Sequence, residues 1–151
     1  MWRTVWHLAK NTRAVALVSQ LDWDLELRLR YQRNLLIKEK LQAGETVCYR
    51  SSGSSLKPRV KSGDQCTFIP VTKESQVEVN DIVFCEVQPR DRFYGHVVKK
   101  KEFWWSSWCY YFTISNLRGR ENGWCKMEHI YGKLIEDDWC KMEHMVQDGE
   151  E

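Results

Sequence analysis

Alternating apolar and polar positions dominate the chain from Thr46 onward, in short runs that are bounded by turn residues. A period of two is typical of half-buried β-strands, because successive side chains of a strand point to opposite faces. Short strands that follow one another with turns between them predict a mainly β, mostly antiparallel domain. The predicted strands lie at 46–50, 65–71, 82–88, 93–99, 109–115 and 129–135.

The segment 22–42 has a different pattern, rich in Leu, Arg, Lys and Glu and without Gly or Pro. These residues favour a helix, which Asp22 or Asp24 can cap and which Ala43-Gly44 can end. Its leucines leave an alternative open, because several of them fall near one helical face while others alternate as in a strand. We favour the helix, in front of the β-domain.

Three segments follow from these patterns. Residues 1–45 form a helical lead-in, 46–135 the β-domain and 136–151 an acidic tail. The sequence Trp-Cys-Lys-Met-Glu-His occurs twice, at 124–129 and at 139–144. Two copies are too few for a solenoid, so we interpret the first as part of the domain and the second as part of the tail.

Composition supports an ordered domain, since 42% of the 151 residues are hydrophobic and 29% are charged. The net charge of +2 divides into −6 for the last sixteen residues and +8 for the rest. A basic body could make a weak nucleic-acid contact, although a solvated tail on a soluble body is the simpler interpretation.

The apolar runs are far shorter than the roughly 20 residues of a membrane span, and the N-terminus lacks a signal-peptide core. We therefore expect no transmembrane segment and a cytoplasmic location.

The six cysteines are widely spaced and form no Cys-x-x-Cys pair, which favours reduced thiols that fill the core.

The repeat supplies two Cys-x3-His pairs, Cys125 with His129 and Cys140 with His144. On a strand, residues four apart stand about 13 Å from each other, so such a pair does not build a zinc site. We predict no metal and no cofactor.

A serine-rich loop is the most informative stretch of the chain. It runs from Tyr49 to Asp64 and contains Gly53-Ser54-Ser55, followed by Pro58. A serine in a tight glycine turn can present its hydroxyl beside free backbone N–H groups, which are the parts of a nucleophile with an oxyanion site. By composition alone, however, the stretch is only a serine-rich loop.

The motif extends this interpretation. Gly53-Ser54-Ser55-Leu56-Lys57-Pro58 followed by Ser62-Gly63-Asp64 resembles the Gly-x-Ser-Met-x-Pro…Gly-Asp motif of the LexA/signal-peptidase superfamily of serine peptidases. Four further segments resemble strands of that family in the same order, so that the resemblance covers about 46–135. They are Val79–Phe84, Tyr94–Lys99, Tyr111–Asn116 and Ile130–Ile135.

The resemblance implies a LexA/signal-peptidase-like antiparallel β-fold and a peptide or protein substrate. It places Ser55 on the nucleophile, His96 on the general base and the backbone at Gly53 and Ser54 on the oxyanion site. Asn116 and Asn122 stand where the family's His-type members carry acids, so they are the candidate supporting residues. The absence of a visible anchor or helix-turn-helix domain makes the chain most similar to small standalone bacterial or phage members.

Two rival functions remain open. The first is a catalytically inactive binding module on the same fold, and the second is a nucleic-acid-associated or protein-associated module. The first would use Phe103-Trp104-Trp105-Ser106-Ser107-Trp108 as its contact surface, and the second would use the basic body. The aromatic run follows three lysines, and aromatic rings beside lysine suit single-stranded nucleic acid. For this aromatic run itself we favour packing in the core against the helix.

Overall fold

The computed structural model describes residues 24–136, and it shows a mainly antiparallel β protein with one helix at its N-terminal end. The fold class predicted from the sequence is therefore confirmed. The contacts divide the chain into two units, 1–36 and 37–151. The first 23 residues, the tail from residue 137 and the second repeat copy at 139–144 lie outside the described residues.

Helix α1 covers residues 24–42. It ends as predicted at Gly44, which has a φ of +86° and donates its N–H to the Leu41 carbonyl at 3.1 Å. The N–H of Glu45 donates to the Lys40 carbonyl at 3.0 Å, so two carbonyls of the last turn are satisfied. The alternation of leucines in this segment thus does not mark a strand.

In the described part of the chain, seven antiparallel strands form one sheet in the order β1-β2-β7-β3-β4-β5-β6. All six predicted strands are present, and β4 extends five residues beyond its predicted end. The strands are β1 Val47–Arg50, β2 Gln65–Pro70, β3 Ile82–Val87, β4 Arg92–Trp104, β5 Cys109–Ser115, β6 Glu121–Lys126 and β7 Ile130–Ile135.

Strand β6 is the one that the sequence pattern misses, because its Asn122-Gly123 pair is typical of a turn. Gly123 has a φ of +141°, and a Cβ there would lie 2.0 Å from the carbonyl oxygen of Gln88. Gly123 is therefore required by a close backbone approach within the sheet. At this point Trp124 pairs with Gln88, just past the end of β3, and the sheet curls.

Two hydrophobic cores lie on opposite faces of the curled sheet, and the alternation along β3 separates them. Ile82 and Phe84 belong to the first core, which also takes Ile37 and Leu41 from the last turns of α1. Gly132 leaves the room that Leu41 occupies, since a Cβ there would lie 2.8 Å from the leucine Cδ1. The second core is lined by Val71, Val77, Val83, Cys85, Val87, Val98, Phe112, Ile114, Cys125 and Ile130.

The cysteines follow the prediction in part. Cys66, Cys85, Cys109 and Cys125 are free thiols, and all but Cys109 are buried. Burial raises the pKa of Cys85 well above that of an ordinary thiol. The prediction of reduced thiols is wrong at Cys48, which is disulfide-bonded. Even spacing along the chain could not reveal this, because only the tertiary fold sets which sulfur atoms meet.

Candidate active site

The serine-rich loop joins β1 to β2 and is closed at its base by Ser51. The N–H of Ser51 donates to the Asp64 carbonyl at 2.9 Å, and the Ser51 carbonyl accepts from the N–H of Gly63 at 2.9 Å. The Ser51 hydroxyl donates to the Lys61 carbonyl at 2.7 Å. These bonds satisfy the polar backbone at the neck of the loop and hold its two ends together.

Ser55 lies in a succession of turns within this loop. Gly53 has a φ of +88°, a backbone conformation that glycine adopts without strain. The neighbouring Leu56 packs against the first core, and the N–H of Leu117 donates to the Ser55 carbonyl at 3.0 Å. Apolar packing on one side and a backbone hydrogen bond on the other fix the position of the serine.

His96 lies on β4 and faces Ser55, 41 residues away along the chain. The Ser55 Oγ and the His96 Nε2 are 3.0 Å apart, so the proximity implied by the resemblance is present in the structure. The imidazole shares its face of β4 with Tyr94, and the centroids of the two rings are 4.9 Å apart. Sequence reasoning missed Tyr94, although its position two residues before His96 on a strand is the signal for a shared face.

Asn122 lies on β6, two strands away from β4, and its side chain reaches His96 because of a β-bulge. Ile114 pairs with Gly123 and the next residue of β5, Ser115, pairs with Glu121, which leaves Asn122 as the extra residue. Bulges re-aim side chains in this way, often beside functional sites. The Asn122 Oδ1 lies 2.6 Å from the His96 Nδ1.

This contact determines the protonation of the imidazole. A carbonyl oxygen only accepts hydrogen bonds, so the neutral ring must carry its proton on Nδ1 and donate it to Asn122. The Nε2 atom then has a free lone pair, which accepts the hydroxyl proton of Ser55. The three side chains form one directed chain of hydrogen bonds from Ser55 through His96 to Asn122.

Burial of His96 sets its charge state. Desolvation lowers the pKa of the imidazole, and the hydrogen bond to Asn122 opposes that effect in part. The pKa therefore lies below the usual 6.5, and the ring is neutral at pH 7. A neutral imidazole with an open Nε2 is the form that can accept a proton from a nucleophile.

Asn116 is the other supporting residue that the resemblance implies. Asn116 closes the turn between β5 and β6: its Oδ1 accepts from the N–H of Arg120 at 2.9 Å, and its own N–H donates to the Arg120 carbonyl at 3.0 Å. Its amide oxygen is thus engaged away from His96. Among residues 24–136, the N–H groups of Ser54 and Ser55 donate to no backbone carbonyl.

The first repeat copy does not assemble a metal site with other described residues. Cys125 is fully buried in the second core, and His129 lies in a short 3-10 turn that follows β6. No group of three or more His, Cys, Asp or Glu side chains suited to a metal ion occurs among residues 24–136. The other two candidate ligands, Cys140 and His144, lie outside the described residues.

The aromatic run after the lysines lies at the tip of the β4–β5 hairpin. Trp104, Trp105 and Trp108 are exposed, so the preferred interpretation, packing in the core against the helix, is wrong for them. The reason is that β4 continues past β3: the last residue of β4 that pairs with β3 is Val97, and the rest of the strand leaves the body of the sheet.

In the part of the chain that the structure describes, no helix is both long and apolar enough to cross a membrane. The chain matches no protein-family model, no curated protein and no solved structure.

Proposed function

We propose that this protein is a serine peptidase in which Ser55 is the nucleophile and His96 the general base. The observation that carries the proposal is the hydrogen-bonded chain from Ser55 through His96 to Asn122, with separations of 3.0 Å and 2.6 Å. A nucleophile, a base within hydrogen-bond reach of it and a third group that orients the base are the parts that acyl-transfer chemistry needs.

The chemistry would proceed in two stages. The Ser55 oxygen attacks the carbonyl carbon of the scissile peptide bond while its proton moves to the His96 Nε2. The imidazolium then gives that proton to the leaving amine, and an acyl-enzyme remains on Ser55. In the second stage His96 takes a proton from water, the hydroxide attacks the ester, and the proton returns to the Ser55 oxygen.

Two features of the site support the first stage. The negative charge of the tetrahedral intermediate would develop beside the Ser54 and Ser55 N–H groups, which donate to no backbone carbonyl within residues 24–136. The lowered pKa of His96 keeps the base neutral at physiological pH.

Asn122 is a positioning residue in this proposal. Its amide oxygen selects the ring tautomer and orientation, as the acid of a serine triad does, but it carries no charge to stabilise the imidazolium. We therefore expect a slow peptidase that acts on a peptide or protein substrate. Membership of the LexA/signal-peptidase superfamily, as a small standalone bacterial or phage form, belongs to the same proposal and rests on the motifs around Ser55.

The second candidate is a catalytically inactive binding module on the same fold. The uncharged Asn122 beside His96 and the exposed tryptophans of the β4–β5 hairpin favour it. Such a module would keep its partner when Ser55 is replaced by alanine, whereas a peptidase would lose its product.

A cytoplasmic location also stays a proposal. The free thiols at Cys66, Cys85, Cys109 and Cys125 fit a reducing compartment, whereas the disulfide-bonded Cys48 fits an oxidising one. Alkylation of the protein in intact cells, followed by intact-mass analysis without reductant, distinguishes the two: an alkylated Cys48 supports the cytoplasm and an unmodified one contradicts it.

The test of the peptidase proposal is covalent labelling with a fluorophosphonate, which reacts with activated serine hydroxyls. The Ser55 oxygen attacks phosphorus, fluoride leaves, and the hydroxyl proton passes to His96. We expect one adduct by intact mass in the wild type and none in Ser55→Ala. Ser54→Ala is the matched control: it removes the neighbouring hydroxyl but keeps the backbone N–H, and should label as the wild type does.

Cleavage is then measured on a library of short fluorogenic peptides, with the same three proteins. A product that forms with wild type and Ser54→Ala but not with Ser55→Ala supports a peptidase. Labelling that is absent in the wild type, or that persists in Ser55→Ala, overturns the assignment and favours the binding module.

A further inference from the structure

The end of the β4–β5 hairpin is an exposed aromatic surface that the proposed catalysis does not use. We call it the aromatic tip: Phe103, Trp104, Trp105, Trp108, Tyr110 and Tyr111, with Trp124 of β6 beside it. Trp105 and Trp108 are 74% and 71% exposed, and Trp104 and Trp124 are 51% and 42% exposed. Such a concentration of large apolar rings in water is unusual for a soluble domain and marks a contact surface.

The rings form two clusters, and the alternation of the strands places them on the two faces of the hairpin. One cluster joins Phe103, Trp105, Trp108 and Tyr110 by edge-to-face contacts with centroids 5.0 to 5.6 Å apart. The other joins Tyr111 to Trp104 at 5.3 Å and to Trp124 at 5.4 Å. These contacts order the rings against one another, so the tip is a pre-formed apolar end rather than a set of independent side chains.

The charged side chains of the hairpin lie behind the rings, toward the body of the sheet. No residue from 103 to 117 carries a formal charge. Three consecutive lysines, 99–101, stand on β4 immediately before Glu102 and the tip, and Lys126 follows Trp124 on β6. Lys101 lies 5.1 Å from the Tyr110 ring centroid and Lys126 lies 5.7 Å from that of Tyr111. Lys99 pairs with Glu121 at 3.2 Å and Lys101 with Glu78 at 3.3 Å, so among residues 24–136 the lysines behind the rings without an acidic partner are Lys100 and Lys126.

We propose that the aromatic tip inserts into the interface of an anionic lipid bilayer. Tryptophan prefers the headgroup level of a membrane, and Lys100 and Lys126 behind the rings would face lipid phosphates and carboxylates. Because the rings lie on both faces of the hairpin, a lipid bilayer fits this surface better than a nucleic-acid strand or a protein groove. A single nucleic-acid strand or a protein groove covers one face of a hairpin, whereas headgroups and acyl chains surround an inserted tip and bury both clusters.

This inference goes beyond the proposed peptidase and does not depend on it. Trp104 is eight residues from His96 on the same strand, which corresponds to about 26 Å of extended chain. An inserted tip would therefore hold the Ser55–His96 pair away from the lipid surface, where a soluble or peripheral substrate could reach it.

The test is flotation of the full chain with vesicles of phosphatidylcholine containing roughly one-third phosphatidylserine, and with phosphatidylcholine alone. We expect the wild type to float with the anionic vesicles, with a blue shift of tryptophan emission. Trp105→Ser/Trp108→Ser should reduce the partition coefficient about tenfold or more, because the two most exposed rings are lost. Leu29→Ser is the matched control: it removes a leucine that is 57% exposed on α1, and should bind as the wild type does.

Further variants and binding measurements distinguish a lipid bilayer from the other possible partners. Lys100→Gln should weaken binding to anionic vesicles roughly fivefold and leave binding to neutral vesicles unchanged. Ser55→Ala should float like the wild type, which keeps this result distinct from the catalytic one. Absence of vesicle binding, or equal binding by the double tryptophan variant, overturns the proposal. So does a preference for single-stranded oligonucleotides over vesicles, or a dimer in sedimentation that the double variant abolishes.

Discussion

The two ends of β4 show how one strand serves two opposite purposes. At His96 the strand pairs with β3, and its pairing with β5 begins at the next residue; the imidazole is half-buried with a partner on each nitrogen. At Trp104 the strand pairs with β5 alone, and its rings are exposed. The surroundings of the strand therefore make the difference: within the sheet His96 is half-buried and meets partners from the β1–β2 loop and from β6, whereas the end of β4 lies beyond β3 and leaves an apolar surface exposed.

Mutations at one end of β4 should leave the other end unchanged. The polar site depends on side chains from the β1–β2 loop, β4 and β6, so a change in any of these should disturb it. The aromatic tip depends on ring contacts within a single hairpin and Trp124. A variant at one end that alters the other would contradict this division of the strand.

Removal of the proposed general base, His96, should have a greater effect than any other change considered below. We expect His96→Ala to slow fluorophosphonate labelling of Ser55 about 10^3-fold, since general-base catalysis by a positioned histidine is of that order. The second-order labelling rate measures it, with vesicle binding as the readout for the other end of β4. His129→Ala is the control, because His129 lies in the turn after β6, and it should label normally. A comparable loss in both variants would mean that the fold, and not the base, had been affected.

The next effect concerns the bulge that presents Asn122. Gly123→Ala places a Cβ 2.0 Å from the Gln88 carbonyl oxygen, so the backbone must shift, and we expect a loss of about 3 kcal/mol in unfolding free energy. Gly119→Ala has a similarly unfavourable φ, +88°, but open space around its Cβ, and should cost only about 1 kcal/mol. Urea denaturation measures both. Equal losses would show that backbone strain alone, without the close approach, determines the requirement for glycine.

The smallest expected change comes from Asn122→Asp, which should increase the labelling rate and keep the site intact. In Asn122→Asp a carboxylate replaces the amide oxygen, which favours the imidazolium and should raise the pKa of His96. Above that pKa we expect labelling to be about tenfold faster, because the charge stabilises the transition state. The acid limb of the pH profile should move upward from its wild-type position, which lies below 6.5.

Asn116→Asp provides the control for that experiment, since the Asn116 Oδ1 accepts from Arg120 in the β5–β6 turn. Its pH profile should coincide with that of the wild type. A shift of the same size in both variants would indicate a general electrostatic effect rather than a contact at His96.

Local patterns along the chain were enough to predict six strands, the helix and its end at Gly44. Each of these depends on the alternation of neighbouring side chains or on a single backbone conformation, which a sequence displays directly. The motif around Ser55 also singled out His96, because the resemblance spans both segments. Asn116 and Asn122 could not be ranked by the sequence, since both come after the predicted strand at 109–115 and both can accept a hydrogen bond.

The remaining features depend on which strands lie beside one another in the folded protein. The bulge in β6 brings Asn122 to His96, and the curl of the sheet makes Gly123 necessary where the sequence suggests a turn. The exposure of Trp104 follows from β4 continuing past the end of its pairing with β3. These outcomes depend on register and on relative strand length, and neither is written in the residues of one segment, because each is set by contacts between segments that are distant in the chain.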